Sequence, residues 1–313
     1  MAIATTGRIR KSGGPARFQV LFWRWPWLRS ALLLAPPLAW FVVVYLASLA
    51  LLLVTAFWTI DSFTAEIIQA WNLDNFRLIV TEPAYRTIIW RTFALASLVT
   101  ITDAVLAFPF AYFMARVASR RLQTILFAAV LLPLWASYLA RVYSWILILN
   151  HNGILNWSLQ SIGLPPADIG YTNVAMWIVF AYIWLPFMII PTYAALERVP
   201  PSLLEAASDL GATNSQALRD VVLPLALPGV VAGSIFTFSL TLGDYITPVL
   251  IGGAGNQGAK DFLGGSLFIG NVIYTNVGIA NNVPFAAALA TIPVLIMAVY
   301  LTLAKRLGAF EAL

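Results

Sequence analysis

This chain has 313 residues, of which 61% are apolar, 10% are charged and 13% are aromatic, and its formal net charge is +5. Soluble domains carry about 25% charged residues, so the composition excludes an ordinary water-soluble protein and predicts an integral membrane protein. Cysteine is absent and His151 is the single histidine, which excludes disulfide frameworks, thiol nucleophiles and metal sites built from cysteines or from two histidines. The lysines and arginines stand between apolar runs instead of forming one basic face, so nucleic acid is not an expected partner.

Six apolar runs are long enough to cross a membrane as helices. A hydrocarbon core about 30 Å thick requires about 20 residues at a rise of about 1.5 Å per residue. The runs cover residues 31–58, 92–115, 122–149, 169–196, 221–251 and 283–304. The first run, at 28 residues, exceeds the core of a cleaved secretory signal, and we interpret it as a retained anchor. The alternating pattern of a membrane β-barrel is missing, so the sequence predicts an all-α membrane protein with six transmembrane helices.

The distribution of basic residues predicts the orientation of these helices. Six spans place both termini on one side of the membrane. The termini and connections of that side hold 13 lysines and arginines, against four in the connections of the other side. Because cytoplasmic connections are enriched in these residues, we expect both termini to be cytoplasmic. The predicted organisation is a basic cytoplasmic segment over residues 1–30, a six-span domain over 31–306 and a cytoplasmic tail over 307–313.

The cytoplasmic connection between the fourth and fifth runs, residues 197–224, is long and patterned. Ser202 follows two prolines and is a candidate N-cap for a short helix. Gly211 is a candidate end of that helix in the left-handed conformation. A second short helix is expected over 215–222, with the fifth span starting at Pro224. Two short helices joined at a glycine would form a rigid knob suited to being pushed by another protein; the alternative is an amphipathic loop that lies on the bilayer.

The order of residues in this connection favours the first interpretation. Seven positions stand at fixed spacing: Glu205, Ala206, Ala207, Gly211, Val221, Leu223 and Pro224. They resemble the EAA signature of the permease subunits of ATP-binding-cassette (ABC) importers. The resemblance implies the type I importer permease fold, also called MetI-like. It also implies that this loop docks into a groove on a cytoplasmic ATPase, with the glutamate facing the partner and the alanines allowing close approach.

Two further stretches are similar to one branch of that family. Residues 134–156 resemble the third span of spermidine/putrescine-type permeases. Residues 242–253, with Gly-Asp-Tyr at 243–245 and Thr-Pro at 247–248, resemble the first of the two permease subunits in those importers. The chain departs from the pattern at 281–285, where an acidic and an aromatic residue commonly precede Pro-Phe. The resemblance implies a polyamine such as spermidine or putrescine as the leading cargo, with opines, aminophosphonates and other small polar solutes as alternatives.

The same resemblance implies a transport complex in a bacterial cytoplasmic (inner) membrane. Its members would be this chain, a second homologous permease subunit, two ABC ATPase subunits and a solute-binding protein. We find no Walker lysine, acid–base pair or activated nucleophile in the sequence, so no catalytic, cofactor or metal site is expected in this chain. ATP and Mg²⁺ would bind the partner ATPases. The rival class is a secondary transporter driven by an ion gradient, which would favour inverted repeats that we do not find.

Three ionisable residues lie inside the predicted spans, where a charge costs about 2.5–3.5 kcal/mol and usually faces a bundle interior or a wet cavity. Arg141 and Asp244 each lie twenty residues from the cytoplasmic flank of a span, at Arg121 and Pro224, if both spans are continuous helices. We place this pair near the external end of a translocation path, as partners or as an external gate; the alternative is a structural ion pair. Asp103 lies closer to the cytoplasmic flank and is expected to hydrogen-bond to a neighbouring helix.

A cationic cargo would be attracted to such a path by charge and by cation–π interaction. The candidates for this attraction are Asp244, Tyr245, Tyr143 and Trp145, and together with Arg141 they are the predicted path residues. Gly243 and Pro248 are expected to loosen the helix around Asp244, because unwound backbone at membrane depth is tolerated where it lines a cavity. In the same span, Gly229 and Gly233 form a small-residue pair that allows close helix packing.

Overall fold

The computed structural model describes residues 26–61, 64–167, 169–252, 263 and 265–306. Most of the predicted basic segment, residues 1–25, and the predicted tail, residues 307–313, lie outside the described residues. The chain divides into two compact units between Val54 and Thr55. Within the described ranges, five helices are long and apolar enough to cross a membrane and a bent pair of helices supplies a sixth. The prediction of six helical spans is therefore confirmed.

One candidate span, Ser30–Thr55, belongs to the first unit except for its last residue. It is built from α1 (Pro26–Phe41), a π-helical turn (Val42–Leu46) and α2 (Ala47–Thr55). Residues 30–55 carry no charged side chain. Because lipid offers no hydrogen-bond partners to the backbone, an apolar segment of this length satisfies its own N–H and C=O groups as a helix.

The second unit begins with short elements that the sequence pattern does not indicate. They are β1 (Thr59–Ile60), β2 (Ile67–Ile68) and α3 (Asp74–Thr81). The strands are antiparallel, with Thr59 opposite Ile68. The side-chain amide of Asn75 donates to the backbone oxygens of Ala56 and Trp58 at 3.0 and 2.8 Å. These bonds fasten the first turn of α3 to the segment before the hairpin.

The remainder of the second unit is helical. Its elements, in chain order, are α4 (Pro83–Tyr112), a π-helical turn (Phe113–Val117), α5 (Arg120–Trp135), α6 (Tyr138–Leu149), α7 (Ile154–Ser161), α8 (Asn173–Arg198), α9 (Pro201–Asp209), α10 (Asn214–Ala217), a π-helical turn (Leu218–Val222), α11 (Leu223–Gly243), α12 (Ile246–Ile251), α13 (Ile269–Gly278) and α14 (Val283–Arg306). Helices α4, α8, α11 and α14 account for the second, fourth, fifth and sixth predicted spans.

Helices α4, α8 and α11 form the core of this unit. Leu95 and Val99 of α4 share a buried apolar cluster with Met176 of α8. Trp177 of α8 donates its indole N–H to the hydroxyl of Thr102 of α4 at 3.0 Å. A hydrogen bond between helices at membrane depth satisfies groups that lipid would leave unpaired.

Gly229 and Gly233 bring α11 into close contact with α8. A Cβ at residue 229 would lie 2.3 Å from the Cβ of Ala195, and one at residue 233 would lie 2.8 Å from the sulfur of Met188. Any side chain larger than hydrogen would therefore push the two helices apart. The predicted close packing at this small-residue pair is confirmed.

The third predicted span is not a continuous helix. Helix α5 and the segment Tyr138–Ser161 meet at an angle of 95°, because Ala136 and Ser137 have extended backbone. Pro133 lies in the last turn of α5, where its missing N–H removes one helical hydrogen bond. The depth of Arg141 counted along a straight helix is therefore wrong, since this residue lies on α6, beyond the bend.

The fifth predicted span differs at both ends. Helix α10, the π-helical turn and α11 form one helix of 30 residues, Asn214–Gly243, so the predicted start at Pro224 is wrong. The N–H of Leu223 bonds to the oxygen of Leu218 in the π pattern, and Pro224, which has no N–H, follows inside the helix. At the other end α11 stops at Gly243, and α12 starts at Ile246 after two intervening residues. The expected loosening around Asp244 is confirmed.

Helix α14 packs against α11 through aromatic and polar contacts. The ring of Tyr300 stacks on the ring of Phe238, with 4.7 Å between their centres. The hydroxyl of Tyr300 donates to Ser234 Oγ at 2.7 Å. The stacking and the hydrogen bond lie at neighbouring turns of α11, and Ile296 and Met297 of the last long helix pack against the same buried cluster as Tyr300.

Candidate functional site

The connection between α8 and α11 is a helical hairpin, which we call the α9–α10 hairpin and which covers residues 201–222. Helix α9 begins at Pro201, and no side chain caps it. The expected cap at Ser202 is therefore wrong: proline occupies the first helical position, where its fixed φ suits the helix and its missing N–H costs nothing. The predicted helix–glycine–helix form is present, but the second helix is the start of the 30-residue helix Asn214–Gly243 and not a separate short helix.

Gly211 makes the turn between the two helices. Its φ is +84°, in the left-handed region that residues with a Cβ avoid. The N–H groups of Gly211 and Ala212 donate to the oxygens of Ser208 and Ala207 at 2.9 and 3.0 Å. These bonds satisfy the last carbonyl groups of α9 and close the turn.

A capping box starts the second helix of the hairpin. The Thr213 hydroxyl accepts from the N–H of Gln216, and the Gln216 side chain accepts from the N–H of Thr213 at 2.8 Å. This reciprocal pair satisfies donors that the first turn would leave free. The turn is therefore fixed on both sides of Gly211.

The α9–α10 hairpin is seated on the ends of the core helices. Leu204 and Leu218 pack against a buried cluster formed by Ala111 of α4, Leu196 of α8 and Ala226 of α11. Apolar contacts of this kind hold the hairpin and the three helices together as one body.

Arg116 supplies a polar tie at the same place. Its guanidinium, in the π-helical turn after α4, donates to the backbone oxygens of Leu196, at 2.8 Å, and Val199. These carbonyl groups lie at the C-terminal end of α8, where a cation is favoured. In the sequence Arg116 is recognisable only as a flanking charge, because its three-dimensional partners have no local sequence signal.

The signature residues of the hairpin differ in exposure. Glu205 and Ala206 are exposed and Ala207 is half-buried. Leu223 and Pro224, at the start of α11, are exposed. Leu210 leaves 89% of its side chain exposed, which is unusual for a leucine held in a rigid turn. The hairpin therefore presents a carboxylate, a small residue and an apolar side chain to the outside of the chain.

A second cluster lies where α11 stops, at the other end of this helix from the hairpin. Asp244 follows Gly243, and its Oδ1 accepts from the backbone N–H of Ile246 at 2.8 Å, which starts α12. Its Oδ2 accepts from the hydroxyl groups of Tyr138 and, at 2.8 Å, Thr247. The Tyr138 and Thr247 oxygens are also 2.6 Å apart. We call Tyr138, Arg141, Asp244 and Thr247 the break cluster, because it joins the two interruptions in the spans.

Arg141 contacts this cluster without pairing directly with Asp244. Its guanidinium carbon lies 5.8 Å from the centre of the Tyr138 ring. Within the described part of the chain, Arg141 and Asp244 form no ion pair, and Arg141 Nε and Nη1 are buried with no hydrogen-bond partner. The two charges predicted as partners are therefore brought into one cluster with Tyr138 as their shared neighbour.

The other candidate path residues lie in separate places. Tyr143 is exposed on α6. The ring of Trp145 contacts that of Tyr182 with 5.3 Å between centres. Tyr245 stacks on Tyr274 of α13 with 4.9 Å between centres. Trp145 and Tyr245 thus each contact an aromatic ring outside the five predicted residues.

Helix α13 presses against the break. A Cβ at Gly270 would lie 2.4 Å from the backbone oxygen of Asp244 and 3.0 Å from the Cα of Tyr245. Glycine at residue 270 is thus required for the first turn of α13 to approach the interrupted backbone. Tyr138 was not among the residues predicted for the path. It stands three residues before Arg141, and this helical spacing, which places both side chains on one face, is the sequence signal that could have indicated it.

Asp103 differs from its prediction. Its side chain is fully buried in α4, and both carboxylate oxygens lack a hydrogen-bond partner among the described residues. The expected bond from Asp103 to a neighbouring helix is therefore wrong. The adjacent residue, Thr102, makes the bond to α8 instead, through Trp177.

Comparison with known proteins identifies the family. Residues 107–309 match the family described as binding-protein-dependent transport system inner membrane component. The chain is 45% identical to the inner membrane ABC transporter permease protein YdcU of Escherichia coli (strain K12), over 96% of both chains. It is 33% identical to the spermidine/putrescine transport system permease protein PotB of Haemophilus influenzae, over 80% of this chain and 84% of that protein.

Solved structures agree with this assignment at the level of the fold. A chain of the bacterial alginate ABC transporter, in complex with an alginate pentasaccharide-bound periplasmic protein, superposes with a TM-score of 0.73 at 20% identity, covering 95% of this chain and 98% of that chain. A chain of the MetNI methionine ABC transporter gives a TM-score of 0.52 at 20% identity, covering 74% and 99%.

The apolar spans, the hairpin between α8 and α11 and these similarities point to the same conclusion. The chain belongs to the family of binding-protein-dependent transport system inner membrane components and is a multi-pass permease subunit of an ABC importer in a bacterial inner membrane.

Proposed function

We propose that this permease imports a polyamine such as spermidine or putrescine. The observation that carries the proposal is the 33% identity to a spermidine/putrescine permease over 84% of that protein. In this proposal a soluble binding protein delivers the cargo outside. A second homologous permease subunit completes the path, and two ABC ATPase subunits bind on the cytoplasmic side, where both termini also lie. Opines and aminophosphonates are the alternative cargoes.

The α9–α10 hairpin is, in this proposal, the contact with the ATPase. Glu205 and Ala206 are exposed on it, and Leu210 projects from its turn with 89% exposure. An apolar side chain beside a carboxylate and a small residue offers both a hydrophobic anchor and room for close approach. A permease that hydrolyses no ATP needs such a contact, because its partner supplies the energy.

The packing of the hairpin supports a mechanical role. Leu204 and Leu218 join it to α4, α8 and α11, and Arg116 joins α4 to the end of α8. A force on the hairpin therefore acts on three core helices together. ATP binding would move the hairpin, open the path outward and admit the cargo, and hydrolysis would reset the path toward the cytoplasm.

The break cluster and its neighbours are the proposed external part of the path. Arg141 and Asp244 are charged groups inside apolar spans, and interrupted helices at membrane depth occur where the backbone lines a cavity or is buried in protein. Tyr143, Trp145 and Tyr245 are aromatic residues on the same two segments and offer cation–π contacts to an ammonium group. We assign these five residues to the path on this basis.

Uptake by the reconstituted complex tests this function. Proteoliposomes that contain the permease pair, the ATPases and the binding protein should accumulate radiolabelled spermidine or putrescine with ATP inside, and vanadate should stop the uptake. Uptake that follows only a proton or sodium gradient would contradict ATPase coupling. Calorimetric titration of the binding protein with polyamines, opines and aminophosphonates separates the cargo classes, and binding of an opine without polyamine would contradict the polyamine assignment.

A further inference from the structure

One hydrogen bond joins two interruptions in the membrane spans. The break between α5 and α6 ends at Tyr138, and the break between α11 and α12 begins at Asp244. The Tyr138 hydroxyl donates to the Asp244 carboxylate across 106 positions of the chain. Thr247, in the first turn of α12, donates to Asp244 Oδ2 at 2.8 Å, and its hydroxyl oxygen lies 2.6 Å from that of Tyr138. The bond therefore connects two places where the helices lack continuous backbone hydrogen bonds.

The two charges of the break cluster are unequally satisfied. Asp244 accepts from three uncharged donors, which belong to Tyr138, Ile246 and Thr247. Arg141, in contrast, has Nε and Nη1 buried without an acceptor in the described ranges. A buried charged group that lacks partners is unfavourable in a low-dielectric surrounding. Tyr138 contacts both opposite charges, while the charges do not contact each other.

We infer that Tyr138 is a positioning residue of the translocation path. It holds Asp244 in the conformation described here, and Asp244 exchanges Tyr138 for Arg141 when the path changes conformation. A guanidinium–carboxylate pair makes charge-assisted hydrogen bonds, so it would satisfy the N–H groups of Arg141 that lack an acceptor. Asp244 then has a partner in both conformations of the path: Tyr138 in the one described here and Arg141 in the other. A two-state element requires such an alternative partner.

The helix that ends at this cluster also carries the hairpin. Asn214–Gly243 is one helix of 30 residues, about 45 Å long at about 1.5 Å per residue. Asp244 is the first residue beyond it. A displacement of the hairpin would therefore be transmitted along one continuous helix and taken up first at Asp244. The inference rests on the proposed ATPase coupling for the source of this movement, whereas the bond between Tyr138 and Asp244 belongs to this chain alone.

Distances between two spin labels test the exchange. The chain has no cysteine, so Leu139→Cys on α6 and Val249→Cys on α12, both exposed, place one label beside each break before assembly with the partner subunits in nanodiscs. We expect ATP with vanadate to change the distance distribution of the otherwise unaltered complex. Tyr138→Phe should produce the trapped distribution without nucleotide, because the variant lacks the hydroxyl that holds Asp244.

A matched variant controls for the loss of a tyrosine hydroxyl. Tyr171→Phe changes an exposed tyrosine outside the break cluster and the proposed path, and it should leave the nucleotide-free distribution as it is. A nucleotide-free distribution for Tyr138→Phe that equals that of the unaltered chain would overturn the inference. If vanadate trapping changes nothing while Tyr138→Phe still shifts the nucleotide-free distribution, the ATPase coupling has failed and the positioning role of Tyr138 stands.

A double-mutant cycle tests the second partner of Asp244. Arg141→Gln should lower at least fivefold the fraction of complexes that show the vanadate-trapped distance distribution. Asp244→Asn, which keeps an oxygen for the N–H of Ile246, should lower this fraction by the same factor. The double variant should lose no more than either single variant, because both changes remove one interaction. If the fold-losses of the trapped fraction in the two single variants multiply in the double variant, the proposed exchange of Tyr138 for Arg141 as the partner of Asp244 would be overturned. Without nucleotide, the effects of Arg141→Gln and Asp244→Asn on the distance distribution should be independent of each other, since Arg141 and Asp244 do not pair in that state.

Discussion

Gly229 of α11 faces Ala195 of α8 so closely that a methyl group at residue 229 would lie 2.3 Å from the Ala195 Cβ and 2.6 Å from the Pro191 backbone oxygen. The backbone oxygen cannot yield as a flexible side chain would. The distance between the two most central helices is therefore set at this residue.

Gly229→Ala is expected to destabilise the permease by about 1–3 kcal/mol, the usual cost of overpacking a core. Thermal unfolding of the purified complex measures this loss. Gly243→Ala is the matched control, because nothing lies within 4 Å of a Cβ there, and it should leave the unfolding temperature nearly unchanged. Equal unfolding temperatures for the two variants would contradict the close contact of α8 and α11.

Gly211→Val is expected to weaken the turn of the α9–α10 hairpin. A branched residue at φ +84° pays about 1–2 kcal/mol for the left-handed conformation, which lowers the population of the intact turn about fivefold or more. Open space surrounds this position within 4 Å, so the effect is conformational and not steric. Capture of the ATPase at limiting concentration should fall accordingly. Gly211→Asn, which tolerates this conformation better, should keep most of the binding, and equal losses for both variants would contradict the explanation.

Ala206→Trp is expected to lower co-purification of the ATPase at least tenfold, equivalent to about 1.4 kcal/mol, because a large ring blocks close approach to the proposed contact face. Ala206 is exposed, so the permease itself should remain stable. Ser208→Trp, another exposed position of α9 on a different face, is the control. A cysteine placed at residue 206 should crosslink to the ATPase, and a complete absence of crosslinks would argue against docking at this hairpin.

Asp103→Val is expected to raise the stability of the permease. Replacing a buried carboxyl that has no partner among the described residues with an apolar side chain of similar size removes a burial penalty of about 1–3 kcal/mol. Thr102→Val should act in the opposite direction by about 0.5–1.5 kcal/mol, since it removes the bond to Trp177. Thermal unfolding of both variants measures the contrast. A loss of stability in Asp103→Val would show that the carboxyl has a stabilising partner.

The number and nature of the spans were predictable because they depend on local properties. The number of residues in an apolar run gives the length of the helix that it forms. The spacing of residues 205–224 indicates both the hairpin and the protein family, and neither inference requires a long-range contact. Gly211 was predictable for the same reason, since a left-handed residue after a short helix has a local signature. The family comparison confirmed the permease assignment made from these patterns.

The interior of the break cluster was not predictable in this way. The depth of Arg141 in the membrane was predicted by counting residues along a straight helix. The chain bends by 95° after α5, so Arg141 does not lie on the axis of that helix. Ser202 was the predicted cap of α9, but the helix starts at Pro201 and has no side-chain cap. Asp103 and Thr102 are likewise neighbours, and which of them reaches α8 depends on a rotation of α4 that the sequence does not specify.

Taken alone, the amino-acid order determined an all-helical membrane protein with six spans and an exposed, glycine-turned hairpin, because apolar length and short-range spacing act within a few turns of one helix. The tertiary structure alone decided that Tyr138 stands between Arg141 and Asp244. That arrangement depends on the directions in which two separate spans bend, and the energy of a contact across 106 positions is not encoded in either segment by itself.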